Sequence, residues 1–392
     1  HMGDPNVKTP VMDRLASEGC SLSRAYANCP ICTPSRGTIF SGRHAHCGPV
    51  SGFVDVYEAT APSTATHLRG ADYHTADFGK WHCGIVRDQV PRKVREDPIT
   101  FPGGVRNRTP VYHRAGFQDW FGFEVLNQPF HSSIYEGSAA EPVSLDGYQT
   151  DALTDRAITY VQNYRREEPL FLVLSVEPPH FPLEVPEQWK RFDPKALEVR
   201  PNFVDRPSPA GGLPTPTPWT FSEQDNDTRR HLALYYAMIE NLDWNIGRFT
   251  DALGQLPRFA GENTLLVYIS DHGDFMGSHG LFDRKEHPHE ESTRIPAVFH
   301  WPDKLPPQGV VDGLFGLVDL FATTCGLLGL EIPPWNQGTD FSPLLRQQPF
   351  VAPNEQLLEM VNNPRWNLDF MDWRGLVTER WKYAFYLSLI HI

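Results

Sequence analysis

Cys29-Pro-Ile-Cys-Thr-Pro-Ser-Arg-Gly-Thr-Ile-Phe-Ser-Gly-Arg43 is the stretch from which the rest of the chain can be read. Cys29 and Cys32 form a C-x-x-C pair, a spacing that suits a redox dithiol or half of a zinc site. A redox dithiol belongs beside a thioredoxin-like βαβ pattern, and a zinc site needs a second ligand pair at matching spacing. Neither stands nearby. The chain instead continues as Cys32-Thr-Pro-Ser-Arg36, then Thr38, Phe40 and Ser41-Gly42-Arg43, an ordered run far more specific than two cysteines. Taken alone, Cys32 would be a buried thiol in a turn ahead of a helix.

The chain has 392 residues, enough for one large domain with a smaller one beside it. A hydrophobic fraction of 40% with 12% aromatics describes a chain that buries a core, not a disordered one. The 36 prolines cluster in 169–218 and 302–353 and imply long ordered loops over a rigid scaffold. A net charge of −13 argues against a nucleic-acid partner. It would also repel anionic substrates unless the site were locally positive. Six cysteines in so long a chain are no disulfide framework, and no apolar run reaches membrane-spanning length. His1-Met2 reads as the scar of a cleaved tag, and Leu387-Ser-Leu-Ile-His-Ile392 as a non-native tail.

Thr9 and Pro10 mark a helix start, with Thr9 as N-cap. Residues 63–69 look helical, and Tyr73 to His82 looks like a strand feeding a loop. Thr150 to Glu167 carries Leu153, Ala157, Ile158, Val161 and Tyr164 on one stripe, the pattern of an amphipathic helix. Pro169-Leu-Phe-Leu-Val-Leu-Ser-Val176 is a continuous apolar run, as in a buried parallel strand. It ends at Glu177-Pro-Pro-His180, where open α/β sheets place their ligands. Residues 223–256 read as one long helix with an aromatic core stripe. Thr264-Leu-Leu-Val-Tyr-Ile-Ser270 is a second buried strand ending in Asp271-His272-Gly273-Asp274. A helix is expected from Leu314 to Leu328, and an alternating hairpin over 373–386.

The run from Cys32 to Arg43 resembles the signature of the type I, formylglycine-dependent sulfatases of the alkaline phosphatase-like superfamily. Four further stretches agree: Val7 to Glu18, Gly79-Lys80-Trp81-His82, Pro179-His180-Phe181-Pro182, and Asp271-His272-Gly273 with Lys285 and 289–296 behind it. The resemblance implies an α/β fold, a mostly parallel sheet sandwiched by helices over 1–339. A truncated C-terminal antiparallel subdomain over 340–392 goes with it. It implies hydrolysis of a sulfate monoester of a carbohydrate or an aryl alcohol. In such enzymes the cysteine is oxidised by a maturation enzyme to formylglycine, whose hydrate attacks sulfur. Cys32 would be that precursor. Arg36, Lys80, His82, His180 and Lys285 would surround diol and sulfate, with Lys80, His180 and Lys285 on the substrate. Asp271 and His272 would bind Ca2+ or Mg2+. Family members begin with an apolar strand that supplies further carboxylate ligands; the chain is expected to lack it and to bind metal weakly. His289 replaces the family's usual tyrosine. Glu290 and Arg294 are expected as a buried structural ion pair.

Two other functions fit the same residues: a phosphonate or phosphate ester hydrolase of the superfamily, and a binder of sulfated glycan without turnover. Arg87, Arg92, Lys93, Arg95, Arg106, Arg108 and Arg114 form a charge-rich loop, ordinarily a solvated face. In an acidic protein it could instead be a subsite for further anionic groups.

Overall fold

Apolar runs bounded by glycine, proline and charge become strands, and three-to-four periodicity becomes helices, in the computed structural model. It describes residues 3–52, 55–84, 108–205, 228–281, 285–361 and 372–386. The run 169–176 forms β6 (Leu170–Ser175), paired in parallel with β2 (His74–Lys80). On its other side β2 pairs in parallel with β3 (Asp119–Phe123). β4 (Ser133–Glu136) and β5 (Val143–Ser144) extend that sheet antiparallel. A second sheet runs β10 (Gly309–Gly316), β1 (Cys20–Tyr26), β9 (Ala297–His300), β7 (Leu266–Ile269), with β8 (Arg294–Ile295) also on β1. β1 and β10 are parallel; β7, β8 and β9 pair antiparallel. The α/β architecture is the expected one, with mixed pairing in both sheets.

Helices cover both faces. α1 (Pro10–Glu18) lies against β9 and β1. α4 (Gln149–Gln162) and α5 (Thr228–Gly254) pack on each other and over β2, where Phe78 stacks on Phe121 and meets Tyr160 edge-on. On the opposite face α2 (Cys32–Ser41) and α3 (Thr64–Gly70) press Phe40 against Trp81 and Phe117. α6 (Asp319–Leu328) flanks α2. A third, antiparallel sheet of β11 (Glu355–Met360), β12 (Trp373–Thr378) and β13 (Lys382–Tyr386) realises the expected hairpin. Its Leu358, Met360, Trp373 and Val377 share a core with Tyr26, Cys29 and Ile31.

Several expectations change. Thr9 caps α1 only by position; the backbone N–H groups of Val11 and Met12 donate instead to the Asp243 carboxylate on α5. The stretch Leu314–Gly316 is strand, because its backbone pairs with Arg24, Ala25 and Tyr26, and the helix starts only at Asp319. β6 and β7 are partly exposed along their whole length, because each is the last strand of its sheet among the described residues. Glu290 and Arg294 form no buried pair: Glu290 bonds Lys382, while Arg294 donates to the Ser23 carbonyl at 2.6 Å. In the charge-rich loop, Arg114 is buried over the Trp120 ring and tied to the carbonyls of Thr109 and Gly137. Arg108 donates to the Ser138 carbonyl. Arg87, Arg92, Lys93, Arg95 and Arg106 lie outside the described residues.

Asn28 joins the third sheet to the rest. Its side chain is fully buried, donates to the Leu357 carbonyl at 2.8 Å and accepts from the Val318 N–H at 3.0 Å. Asn28→Ala leaves both backbone groups without partners, a loss of about 2–4 kcal/mol. Denaturant unfolding should show it, and an unchanged midpoint would remove Asn28 from this role.

Candidate active site

The strand ends explain where the polar residues go. β2, β6 and β7 all finish at the N-terminus of α2, and each hands its next residues to the same spot. α2 is buried on nearly every side although it carries Thr33, Ser35 and Arg36. A helix buried all round is normally apolar; here Ser35 and Arg36 find their partners at the site. Arg36 donates to the Lys80 carbonyl at 2.6 Å and to Ser175 Oγ at 2.8 Å, and its Nε lies 3.2 Å from Asp271 Oδ2. Ser35 Oγ donates to the Asp271 carbonyl. Two glycines permit this closeness. Gly79 has φ +94, and a Cβ there would sit 2.0 Å from the Ser175 carbonyl oxygen. A Cβ on Gly273 would sit 2.0 Å from the Glu291 carbonyl oxygen.

Cys32 occupies the first turn of α2, 2% exposed. Its Sγ is 3.1 Å from His272 Nε2 and 3.9 Å from Lys80 Nζ. Burial alone would push the thiol up. The cations of Lys80 and Lys285, with His272, outweigh it and hold Cys32 well below its ordinary 9.0. A helix N-terminus favours a thiolate in the same sense. The other buried cysteines go the opposite way: burial raises Cys20 and Cys325 to about 12 and lifts Cys29 and Cys83 as well. Cys29 lies in the core shared with the third sheet, so the C-x-x-C pair does not act as a unit.

The imidazoles divide into two kinds. Burial lowers His180, and the Lys285 ammonium lowers it further. Lys285 Nζ stands 2.7 Å from His180 Nε2, and His180 Nδ1 stands 2.7 Å from the Phe181 carbonyl. That arrangement describes a neutral ring donating through Nδ1 and accepting through Nε2. Burial also takes His82 down to about 4, against a hydrogen bond to Cys32 that favours the charged form. His272 moves the other way: burial disfavours its charge, but Asp271 and the Cys32 sulfur overcome that and raise it. Burial would raise Asp271, yet His272 and Arg36 keep it below the usual carboxylate value.

The structure therefore brings Cys32, Arg36, Lys80, His82, His180, Lys285, Asp271 and His272 into one pocket. Cys32, Asp271 and His272 offer ligand atoms within 4.8 Å of one another. Two contributors went unread in the sequence. Ser175 anchors Arg36 from the end of β6. Glu177 accepts from the N–H groups of Leu126 and Asn127 and from Gln149, and its carbonyl accepts from His180 N, fixing the segment that carries His180. A strand-end carboxylate beside proline was the available signal for Glu177; Ser175 had none.

Comparison with known proteins gives the family and the fold. Residues 2–330 match the family model described as Sulfatase, and residues 277–391 match the one described as N-sulphoglucosamine sulphohydrolase, C-terminal. An ulvan-active sulfatase of Formosa agariphila is 28% identical over 396 residues, 98% of this chain and 69% of its own. An endo-4-O-sulfatase of Bacteroides thetaiotaomicron is 25% identical over 414 residues, 98% of this chain and 77% of its own. Among solved structures, a yidJ sulfatase of Bacteroides fragilis matches with TM-score 0.81 at 27% identity, over 98% of this chain and 82% of that one. A phosphonate monoester hydrolase of Agrobacterium radiobacter shares the fold, with TM-score 0.74 at 21% identity, over 98% of this chain and 83% of that one.

The cationic surroundings of Cys32 have a direct readout in protein whose cysteine is unconverted. The folded thiol is depressed below 9.0, so it ionises at lower pH than in the unfolded chain. The thiolate absorbance missing from Cys32→Ser should appear well below that pH, and Lys80→Met should move its midpoint upward. A midpoint near 9.0 in the unsubstituted protein would contradict this electrostatic balance.

Proposed function

The chain belongs to the sulfatase family and has its alkaline phosphatase-like fold, and on that premise we propose that it cleaves sulfate monoesters of a carbohydrate or aryl alcohol through formylglycine made from Cys32. The observation that carries this reading is the convergence of Lys80, Lys285, His180 and His272 on one buried sulfur at the strand ends. Converted to formylglycine, that side chain supplies a hydroxyl nucleophile, and a second hydroxyl through which sulfate is released as the aldehyde re-forms.

The surrounding residues divide the remaining work. Lys80 and Lys285 hold the sulfate oxygens with fixed positive charge, set in a pocket where little reorganisation is needed when charge develops. Lys285 Nζ stands 2.7 Å from Nε2 of the neutral His180, and this pair would pass a proton to the departing alcohol oxygen. Asp271, kept ionised, accepts the proton of the attacking hydroxyl. Arg36 holds Asp271 in place and ties α2 to the carbonyl of Lys80. The local cations offset the acidity of the whole chain, which otherwise disfavours an anionic substrate.

Asp271 and His272 fit one side of a divalent cation, since their ligand atoms and that of Cys32 lie within 4.8 Å and the carboxylate is ionised. Bound there, Ca2+ or Mg2+ would supply Lewis acidity to the sulfate oxygens. A hard cation takes about six to eight oxygen ligands, so one carboxylate and one imidazole should hold it weakly. Of the sulfatases named above, one is ulvan-active by its own name and another is an endo-4-O-sulfatase. A sulfated saccharide is accordingly the substrate class we favour here.

Mass spectrometry of the Cys32 peptide, from protein produced with a formylglycine-generating enzyme, should show loss of the sulfur. Turnover of an aryl sulfate should follow the converted fraction. Lys285→Met and His180→Ala should each lower kcat about 10²–10⁴-fold. Turnover by protein whose Cys32 is entirely unconverted would overturn the mechanism. Calorimetry with Ca2+ should give an affinity no tighter than about millimolar, and micromolar binding would show that the donor set is larger than these two residues.

A further inference from the structure

Lys285 reaches the Cys32 site, and two residues later the chain is half-buried at His287 before it reaches the surface at His289. Two residues span at most about 7 Å of backbone. At that place three imidazoles surround one fully buried ring, Phe275. Their centroids stand 6.1 Å (His279), 5.8 Å (His287) and 5.3 Å (His289) from it. His279 and His289 are 4.9 Å apart, and His287 and His289 are 6.0 Å apart. His279 is held outward by a left-handed backbone, φ 55, with its N–H on the Asn202 carbonyl. Its side chain is 43% exposed.

Charged groups of both signs stand around this cluster. Glu291 stands 3.5 Å from His279 Nε2 and accepts from Asn202, and Arg200 acts on it electrostatically from beside the Phe275 carbonyl. Glu290 is bonded to Lys382. The Tyr386 hydroxyl lies 3.3 Å from His287 Nδ1. Charges of both signs thus meet here, and protonation of the imidazoles makes the patch more positive. Burial lowers His289, and the neighbouring His279 lowers it further. A bound anion must raise their protonation, since whatever binds the charged form better shifts the equilibrium towards it.

We propose that His279, His287 and His289, gathered round Phe275 beside Lys285, form a second anion subsite. It takes a further sulfate or carboxylate on the same saccharide whose ester is cleaved, and takes it in mild acid. The substrate half of this statement rests on the sulfatase reading above; the anion-binding half does not. Three charge-capable rings on one apolar support suit this work, because imidazolium N–H groups donate strongly to sulfate oxygens, while Phe275 holds their spacing. The subsite would select substrates with a second acidic group, and only where the histidines can charge.

The histidine ring resonances of the protein, followed by NMR through a pH titration, test the site without turnover. In sodium sulfate, the midpoints of His287 and His289 should lie about half a unit or more above those in sodium chloride of equal ionic strength. Unchanged midpoints would overturn the proposal. In steady-state assays, His287→Gln together with His289→Gln should raise KM about tenfold for a disulfated disaccharide below about pH 6. It should leave kcat, and the KM of a monosulfated aryl ester, nearly as they were. An equal change for both substrates, or a fall in kcat alone, would show that the rings only support the fold. If sulfate moves the midpoints and nothing is hydrolysed, the subsite stands and the sulfatase mechanism falls. Hydrolysis with unmoved midpoints gives the reverse.

Discussion

One guanidinium holds the site together. Arg36 reaches from α2 to the end of β2 at the Lys80 carbonyl, to the end of β6 at Ser175, and to Asp271 beyond β7. β6 and β7 belong to different sheets. Arg36 therefore joins two sheets as well as several side chains, in the fixed fork geometry that suits arginine to such bridging. Without it, the residues after the three strands would have no common point of reference. Ser35, one position earlier, adds a second tie to the Asp271 backbone. A helix whose Ser35 and Arg36 side chains find partners outside it, while Thr38 and Ser41 bond back to its own carbonyls, can be buried on nearly all sides.

The cost of that construction is electrostatic. Lys80, Lys285 and Arg36 are each at most 7% exposed, and buried cations need compensation. Asp271 is one counter-charge, and a depressed Cys32 is a second. His180 and His82 respond by staying neutral, while His272, against both anions, moves towards its charged form. The pocket is thus set up for an anion at one spot, and a tetrahedral anion with several oxygens would satisfy the donors that a single sulfur cannot. This is how a chain with net charge −13 can recruit a sulfate ester.

Burial elsewhere serves the same end more quietly. Asp243 on α5 receives the first N–H groups of α1, replacing the cap that Thr9 was expected to supply. Asn28 links β1 to the third sheet through groups that water cannot reach. Glu177 gathers three donors and so steadies the segment carrying His180. Each spans tens to hundreds of residues, and each sets the position of an element that touches the pocket or its rim.

Much of this was legible before any coordinates. The apolar runs 169–176 and 264–270, the helical stripe of 223–256 and the ordered residues around Cys32 follow from local chemistry, since period and side-chain type act within a few residues. The sequence by itself determined which residues stand at the strand ends: Lys80 and His82, His180, Asp271 and His272. The tertiary structure alone decided that those ends meet, that Ser175 and Glu177 join them, that Leu314 to Gly316 is strand, and that Glu290 chooses Lys382 over Arg294. The order of strands in a sheet and the partner of a buried polar group depend on segments far apart in the chain. No local pattern carries that information; only the competition to bury apolar surface and satisfy every buried charge settles it.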